Sequence, residues 1–187
     1  SFDGGKTFVR SPLNPVIPTY PAECTSDFRD PKVWKKDGKW YLVAGSSHDG
    51  KGCATLYSGT DLEHWEYRGI MMESDGTQGD MWECPSFCTV DGQDILLVSP
   101  MAMPGHKNIA MFGSFDYSTC RMTQTHWQEL DYGEDYYAAQ VLYDEGRTLL
   151  MAWMEMWGHP YATVNDGWVG ALTLPREMHI RDGKLLQ

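Results

Sequence analysis

Apolar and polar positions alternate along the chain in short runs, and three pairs of these runs are joined by an Asp-Gly or Glu-Gly turn. The pairs lie at 29–45, 83–99 and 135–153. An apolar run, a tight turn and a returning apolar run form the pattern of a β-hairpin. The sequence therefore predicts an all-β fold built from hairpins.

The three hairpins repeat at an even spacing. Each opens near an acid, and these acids, Asp30, Glu83 and Asp135, lie 53 and 52 residues apart. A period of roughly 50 residues with several short strands per repeat is typical of a β-propeller. Because the innermost strand of each blade borders the central channel, we expect the three acids to meet at one mouth of that channel.

Blade-like units of four strands each are predicted at about 27–78, 80–131 and 133–187, so residues 1–187 form one partial propeller domain. In the last unit the third and fourth strands are expected at 169–174 and 177–180. The first residues resemble the outer strand of a preceding blade. Propeller edges are protected only when the ring closes, and about three blades do not close one. We therefore expect a portion of a longer protein; a ring completed by several copies of the chain is the alternative.

Composition narrows the range of partners. Of the 187 residues, 42% are hydrophobic and 22% are charged, and the formal net charge is −11. This charge opposes binding to nucleic acid and to anionic membrane surfaces, and no run of 18 apolar residues is present. Neither partner is expected, whereas the aromatic content of 13% suits strand cores and sugar-binding surfaces alike.

Cysteine and histidine usage predicts neither disulfides nor a metal site. The five cysteines are odd in number and show no pairing pattern, and the six histidines form no ligand cluster. No metal or cofactor is expected. Unpaired thiols favour a reducing compartment, so the expected location is the cytoplasm.

Glu83 is the first candidate for acid–base chemistry. It lies between Trp82 and Cys84, and a carboxyl group among apolar side chains has its charged form disfavoured by desolvation, which suits a proton donor. Simpler interpretations remain for each acid taken alone: a solvated strand end for Glu83, an Asx-turn for Asp30 and a loop acid for Asp135.

Several segments resemble motifs of glycoside hydrolase family 32, which includes invertases, levanases, inulinases and sucrose-6-phosphate hydrolases. They are Arg-Asp-Pro at 29–31, Trp-Glu-Cys-Pro at 82–85, and the stretches 135–140, 151–154 and 168–177. The resemblance covers essentially the whole chain. It implies a five-bladed propeller followed by a β-sandwich, acting on β-fructofuranosides such as sucrose, sucrose 6-phosphate or fructans by a retaining mechanism.

The resemblance also implies roles for individual residues. Glu83 would be the general acid/base, and Asp30 would stabilise the transition state through hydrogen bonds to the fructosyl ring. Substrate-binding positions would include both acids and their neighbours: Arg29, Cys84, Asp135, Tyr136, and one or both of Trp153 and Trp157.

One family motif is missing. The nucleophile of the family is an Asp in an Asn-Asp-Pro-Asn motif on the first blade, and no such motif occurs in these residues. We therefore expect the isolated fragment, without that blade or the sandwich, to be inactive. The alternative is a carbohydrate-binding propeller that carries no catalytic activity.

Overall fold

The computed structural model describes residues 1–187, and strands make up its regular structure. One short 3₁₀ turn, Val164–Asp166, is the exception. The all-β prediction is confirmed. The strands are β1 (Arg29–Lys36), β2 (Lys39–His48), β3 (Lys51–Gly59), β4 (Glu66–Glu73), β5 (Met81–Val90), β6 (Gln93–Met101), β7 (Ile109–Asp116), β8 (Arg121–Glu129), β9 (Tyr137–Asp144), β10 (Arg147–Trp153), β11 (Arg176–Glu177), β12 (His179–Arg181) and β13 (Lys184–Leu186).

Two complete propeller blades account for the first eight strands. Strands β1 to β4 form one antiparallel sheet in sequence order, and β5 to β8 form the next. The inner strands β1, β5 and β9 lie side by side. Lys32 of β1 crosses from the first blade to the third, where its Nζ donates to the carbonyl of Val141 at 2.6 Å. The propeller prediction is confirmed.

The predicted tight turns are present at the first hairpin of each unit. In each turn both central residues have positive φ, as the reversal requires, and a glycine takes the second position. The paired φ values are 50° and 81° at Asp37-Gly38, 48° and 81° at Asp91-Gly92, and 46° and 85° at Glu145-Gly146.

Two apolar clusters hold neighbouring blades together. One fills the space between the first and second blades and includes Trp82, which is fully buried. The other fills the space between the second and third blades, around Phe112 and Leu150. Each cluster combines side chains from two sheets, so the position of one inner strand depends on its neighbour.

The third unit differs from the predicted four-strand blade. Its sheet has three strands in the order β11-β10-β9, while β12 and β13 form a separate hairpin. The stretch 169–174, expected to be the third strand, makes one isolated bridge, between Leu172 and Trp153. Positive φ at Gly167 and Gly170 turns the chain away from an extended ladder.

Candidate active site

A β-bulge interrupts each inner strand at the same point, near its first residue. The register shifts after Arg29 in β1, after Glu83 in β5, and opposite Trp153 in β9. A bulge places an extra residue on one strand and redirects the side chains around it. The residue at the bulge has a left-handed φ in every case: 58° at Asp30, 50° at Cys84 and 55° at Ala138.

These bulges define a structural period that corrects the predicted one. Arg29, Glu83 and Tyr137 occupy equivalent places, 54 residues apart, and Asp30, Cys84 and Ala138 occupy the next. The acids are therefore not equivalent positions of one repeat, as the sequence spacing had indicated. Asp30 and Glu83 lie at neighbouring places of adjacent blades, and the third blade contributes a tyrosine instead of an acid.

Glu83 lies between two hydrogen-bond donors from neighbouring blades. Its Oε1 accepts from the Nε of Arg29 at 2.9 Å, and its Oε2 accepts from the hydroxyl of Tyr137. The Glu83 side chain is 18% exposed, so one side of the carboxyl group remains open to solvent. Both oxygens are thus oriented by the protein while the group stays accessible.

Arg29 and Tyr137 both remain donors over the physiological pH range. Arg29 also bonds Asp27 at 2.9 Å, and this contact, followed by the contact with Glu83, raises the pKa of the guanidinium. Burial and the hydrogen bond to Glu83 raise the pKa of the Tyr137 phenol. Neither group has to change its protonation state to hold Glu83.

Asp30 is tied to the peptide that follows Glu83. Its Oδ2 accepts from the backbone N–H of Cys84 at 2.9 Å and from the Cys84 thiol at 3.5 Å. Burial and the nearby Asp30 carboxylate raise the pKa of the Cys84 thiol to about 12. The thiol therefore stays protonated as a weak donor and is not a nucleophile.

Three aromatic rings form a wall beside Glu83. The ring centroid of Tyr137 lies 6.3 Å from that of Trp153 and 6.4 Å from that of Trp157, and the two indoles are 5.9 Å apart. Trp157 is 64% exposed. Exposed aromatic faces beside hydrogen-bonding carboxylates suit a ligand with apolar C–H faces and hydroxyl edges, such as a sugar.

A small pocket lies next to the aromatic wall. It has a volume of about 200 Å³ and is lined mainly by the loop 154–171. Asp135 borders it, with a half-exposed side chain whose Oδ1 lies 2.8 Å from Nδ1 of His159. Asp135 is thus placed at the edge of the site, in contact with His159, and its role in substrate binding stays a prediction.

The structure brings together most of the residues predicted for the site, with one correction. Arg29 bonds Glu83 and Asp30 bonds Cys84, so two hydrogen-bonded pairs join β1 to β5 at the same point. Trp153 and Trp157 lie beside them, against Tyr137. Tyr136 was expected to line the pocket, but it is 2% exposed and its ring packs in the core under the guanidinium of Arg176. Successive strand residues face opposite sides, so Tyr137 takes the place expected for Tyr136.

Sequence reasoning missed Tyr137, although a signal was available. The turn residues Asp37, Asp91 and Glu145 recur at 54-residue spacing. Extending that spacing back to the strand starts pairs Tyr137 with Glu83 and Arg29. Aligning the repeats on their acids instead places Asp30 one residue after, and Asp135 two residues before, the position equivalent to Glu83. Both displacements fall where the bulges lie.

No metal or membrane-spanning element was found. No group of three or more His, Cys, Asp or Glu side chains is arranged to hold a metal ion. No helix has both the length and the apolar character needed to cross a bilayer.

Fold and site together define a β-propeller of the glycosidase type, with two carboxylate residues beside an aromatic wall at the start of adjacent inner strands. The chain belongs to glycosyl hydrolases family 32, since the model of the N-terminal domain of that family matches residues 1–187.

Curated relatives of the chain include an invertase and sucrose-6-phosphate hydrolases. A raffinose invertase of Escherichia coli is 38% identical over 177 residues, which cover 89% of this chain and 37% of the relative. A sucrose-6-phosphate hydrolase of Bacillus subtilis is 35% identical over 191 residues, covering 92% of this chain and 40% of the relative. The chain thus spans well under half the length of the curated relatives it matches.

A solved structure supports the same assignment. The β-fructofuranosidase of Bombyx mori superposes with a TM-score of 0.86 at 38% identity, covering 92% of this chain and 39% of that enzyme. A variant of the same enzyme, with the same TM-score, identity and coverage, was solved in complex with sucrose.

Proposed function

We propose that the whole protein containing this chain hydrolyses β-fructofuranosides such as sucrose, sucrose 6-phosphate or fructans, with retention of configuration. The observation that carries the proposal is the Glu83 carboxyl group, held by Arg29 and Tyr137 from two neighbouring blades beside Asp30. The names of the relatives, invertase and sucrose-6-phosphate hydrolase, support the same substrate class.

In the first half of the reaction, protonated Glu83 donates its proton to the glycosidic oxygen as the bond to the anomeric carbon breaks. A carboxylate nucleophile attacks that carbon from the opposite face and forms a fructosyl ester. In the second half, ionised Glu83 takes a proton from water, the water oxygen attacks the anomeric carbon, and the nucleophile leaves as a carboxylate.

Asp30 has a supporting role in both halves. Its Oδ2 is fixed by the Cys84 peptide, so Oδ1 is free to accept hydrogen bonds from fructosyl hydroxyl groups. As positive charge develops at the anomeric carbon and ring oxygen, those hydroxyls become better donors and the bonds to a carboxylate strengthen. Asp30 thereby stabilises the transition state more than the bound substrate.

The nucleophile is not supplied by these 187 residues, since they contain no Asn-Asp-Pro-Asn motif. We therefore propose that the fragment alone does not turn over fructosides. Incubation of the purified fragment with sucrose tests this point, and release of glucose at the rate of an ordinary glycosidase would contradict it.

The role of Glu83 is tested by the variant Glu83→Gln in the whole protein. The amide cannot donate the proton, so kcat on sucrose is expected to fall by about 100- to 10,000-fold. An aryl fructoside with a good leaving group, such as 4-nitrophenyl β-D-fructofuranoside, needs no such proton and should keep a far larger share of its first-step rate. Added azide should restore turnover by forming β-fructosyl azide.

Glu145→Gln is the matched control, because Glu145 lies in the exposed turn after β9. It should leave both substrates unaffected. Near-normal sucrose hydrolysis by Glu83→Gln, or equal losses on both substrates without azide rescue, would contradict the assignment of Glu83.

Carbohydrate binding without catalysis is the second candidate. The exposed Trp157 beside Trp153 favours it, since such rings bind sugars without any chemistry. Under this alternative the whole protein binds sucrose or a fructan with measurable heat in calorimetry and releases no product over hours.

We further propose a reducing compartment, the cytoplasm, as the location of the protein. All five cysteines are free thiols and four of them are buried, which supports the proposal. Cell fractionation tests it, and recovery of the protein outside the cytoplasm would contradict it.

A further inference from the structure

Asn108 is a buried amide in the connection between β6 and β7. It is 1% exposed, and all of its side-chain polar atoms have partners. Its Oδ1 accepts from the hydroxyl of Ser99 at 2.7 Å and from the backbone N–H of Ala139 at 3.4 Å. Its Nδ2 donates to the carbonyl of Tyr136 at 2.8 Å.

The hydrogen-bond partners of the Asn108 side chain lie next to Glu83 and Tyr137. Ser99 is the residue of β6 paired with Glu83 of β5. Tyr136 and Ala139 lie on either side of the Tyr137-Ala138 bulge. One amide therefore joins the strand beside Glu83 to the peptide groups before and after the tyrosine that bonds Glu83.

The backbone of Asn108 is itself held in place. Its carbonyl accepts from the N–H of Leu130 at 3.0 Å, and its N–H donates to Oε1 of Glu129 at 3.5 Å. Oε2 of Glu129 lies 2.6 Å from Nδ1 of His106. The backbone of Asn108 is thus held by the second blade, while its side-chain amide bonds the third blade.

We propose that Asn108 is a positioning residue for the acid/base, and that it acts through Tyr137. This inference rests on the proposed function of Glu83. A buried amide with both ends satisfied has one favourable orientation, so it sets where the bulge of β9 lies relative to β5. Displacing the bulge moves the Tyr137 hydroxyl away from Glu83 and leaves the carboxyl group free to rotate, which slows proton transfer.

The first measurement compares single variants of the whole protein on sucrose. Tyr137→Phe removes one hydrogen bond to a charged group, and a loss of about 10- to 100-fold in kcat is expected. Asn108→Ala should lower kcat by a similar factor with a smaller change in KM.

The decisive measurement is a double-mutant cycle between Asn108 and Tyr137. If Asn108 acts through the Tyr137 hydroxyl, adding Asn108→Ala to Tyr137→Phe costs no more than about a further twofold in kcat. If Asn108 serves only general stability, the two losses multiply. If Asn108→Ala does not yield folded protein, Ser99→Ala takes its place in the cycle, because it removes one hydrogen bond from the same amide.

Gln128 offers a matched control. It too is an amide that bonds a following segment, accepting from the N–H of Leu185 and donating to the carbonyl of Leu185, each at 2.9 Å, but that segment is the β12–β13 hairpin. Gln128→Ala should lower the melting temperature and leave kcat within about twofold.

The outcomes separate this inference from the proposed function. If Glu83→Gln abolishes sucrose hydrolysis and the Asn108 and Tyr137 losses multiply, the positioning role is overturned and the function of Glu83 stands. An unchanged kcat in Asn108→Ala, or an equal loss in Gln128→Ala, also overturns it. If Glu83→Gln retains activity, the proposed function and the positioning role fail together.

Discussion

The behaviour of Glu83 is determined by residues distant in sequence rather than by its immediate neighbours. The sequence placed it next to Trp82, and desolvation by that indole was the predicted influence. In the structure the Trp82 indole is fully buried, lies against Gly52, and donates to the carbonyl of Gln78. Because adjacent strand residues face opposite sides, the carboxyl group contacts Arg29 and Tyr137 instead.

The thiols of Cys84 and Cys88 should be unreactive in the folded protein. Burial raises the pKa of both Cys84 and Cys88 to about 12, against an ordinary value of 9.0. In the folded protein both thiols should resist a thiolate-selective reagent at pH 8, and both should react once the protein is unfolded in guanidinium. Mass spectrometry of the labelled peptides measures this, and rapid labelling of Cys88 in the native state would contradict it.

The raised pKa values of the Cys84 and Cys88 thiols also determine whether stability rises or falls with pH. Above pH 9 the unfolded chain loses these thiol protons while the folded chain retains them until about pH 12. The unfolded state then binds fewer protons, so the free energy of unfolding should fall as the pH rises from 9 to 12. Urea denaturation of Cys88→Ala, compared with the parent at pH 8 and pH 10, should show a smaller decrease in the variant.

At the scale of elements, turns were predictable and bulges were not. An Asp-Gly pair is a local signal for a tight turn, because Asp and Gly both tolerate positive φ, and Glu145-Gly146 adopts the same turn. A bulge with Asp30, Cys84 or Ala138 in the left-handed region has no comparable local signature. Its position is stabilised by contacts with the next blade, and those contacts appear only after the strands are assembled.

Gly45 lies in close contact with β5, so a larger side chain there should disturb the packing of the first two blades. Gly45 pairs with Arg29, and a Cβ added there would lie 2.0 Å from the carbonyl oxygen of Trp82 and 3.3 Å from Cδ of Pro85. Gly45→Ala should therefore push the first two blades apart and lower the free energy of unfolding by about 1–3 kcal/mol. Chemical denaturation measures this.

Activity should fall together with stability in Gly45→Ala, because Arg29 on the paired strand would move away from Glu83. Gly45→Ala with unchanged stability and unchanged kcat would show that the two blades are not in close contact at this point.

At the scale of the whole molecule, the sequence predicts that blade-like units repeat, but it does not predict which residues occupy equivalent positions in those units. Hairpin turns and apolar strands gave the all-β class, the propeller and the two complete blades. The acids at 30, 83 and 135 suggested a common register, but the bulges shift it, and Tyr137 takes the place expected for Tyr136. The stretch 169–174 of the third unit was predicted as a strand, but its apolar residues are mostly exposed loop positions rather than a buried face.

The proposed function requires that Asp30 and Glu83, from two blades, act on one fructosyl ring. The most direct test is a crystal structure of the whole protein carrying Glu83→Gln with a bound fructoside. We expect a fructosyl ring with Asp30 Oδ1 within hydrogen-bond distance, about 3.2 Å, of its hydroxyl groups, and the substituted amide equally close to the glycosidic oxygen. A ring bound away from either residue, or touching one while the other lies beyond the reach of the same sugar, would contradict it.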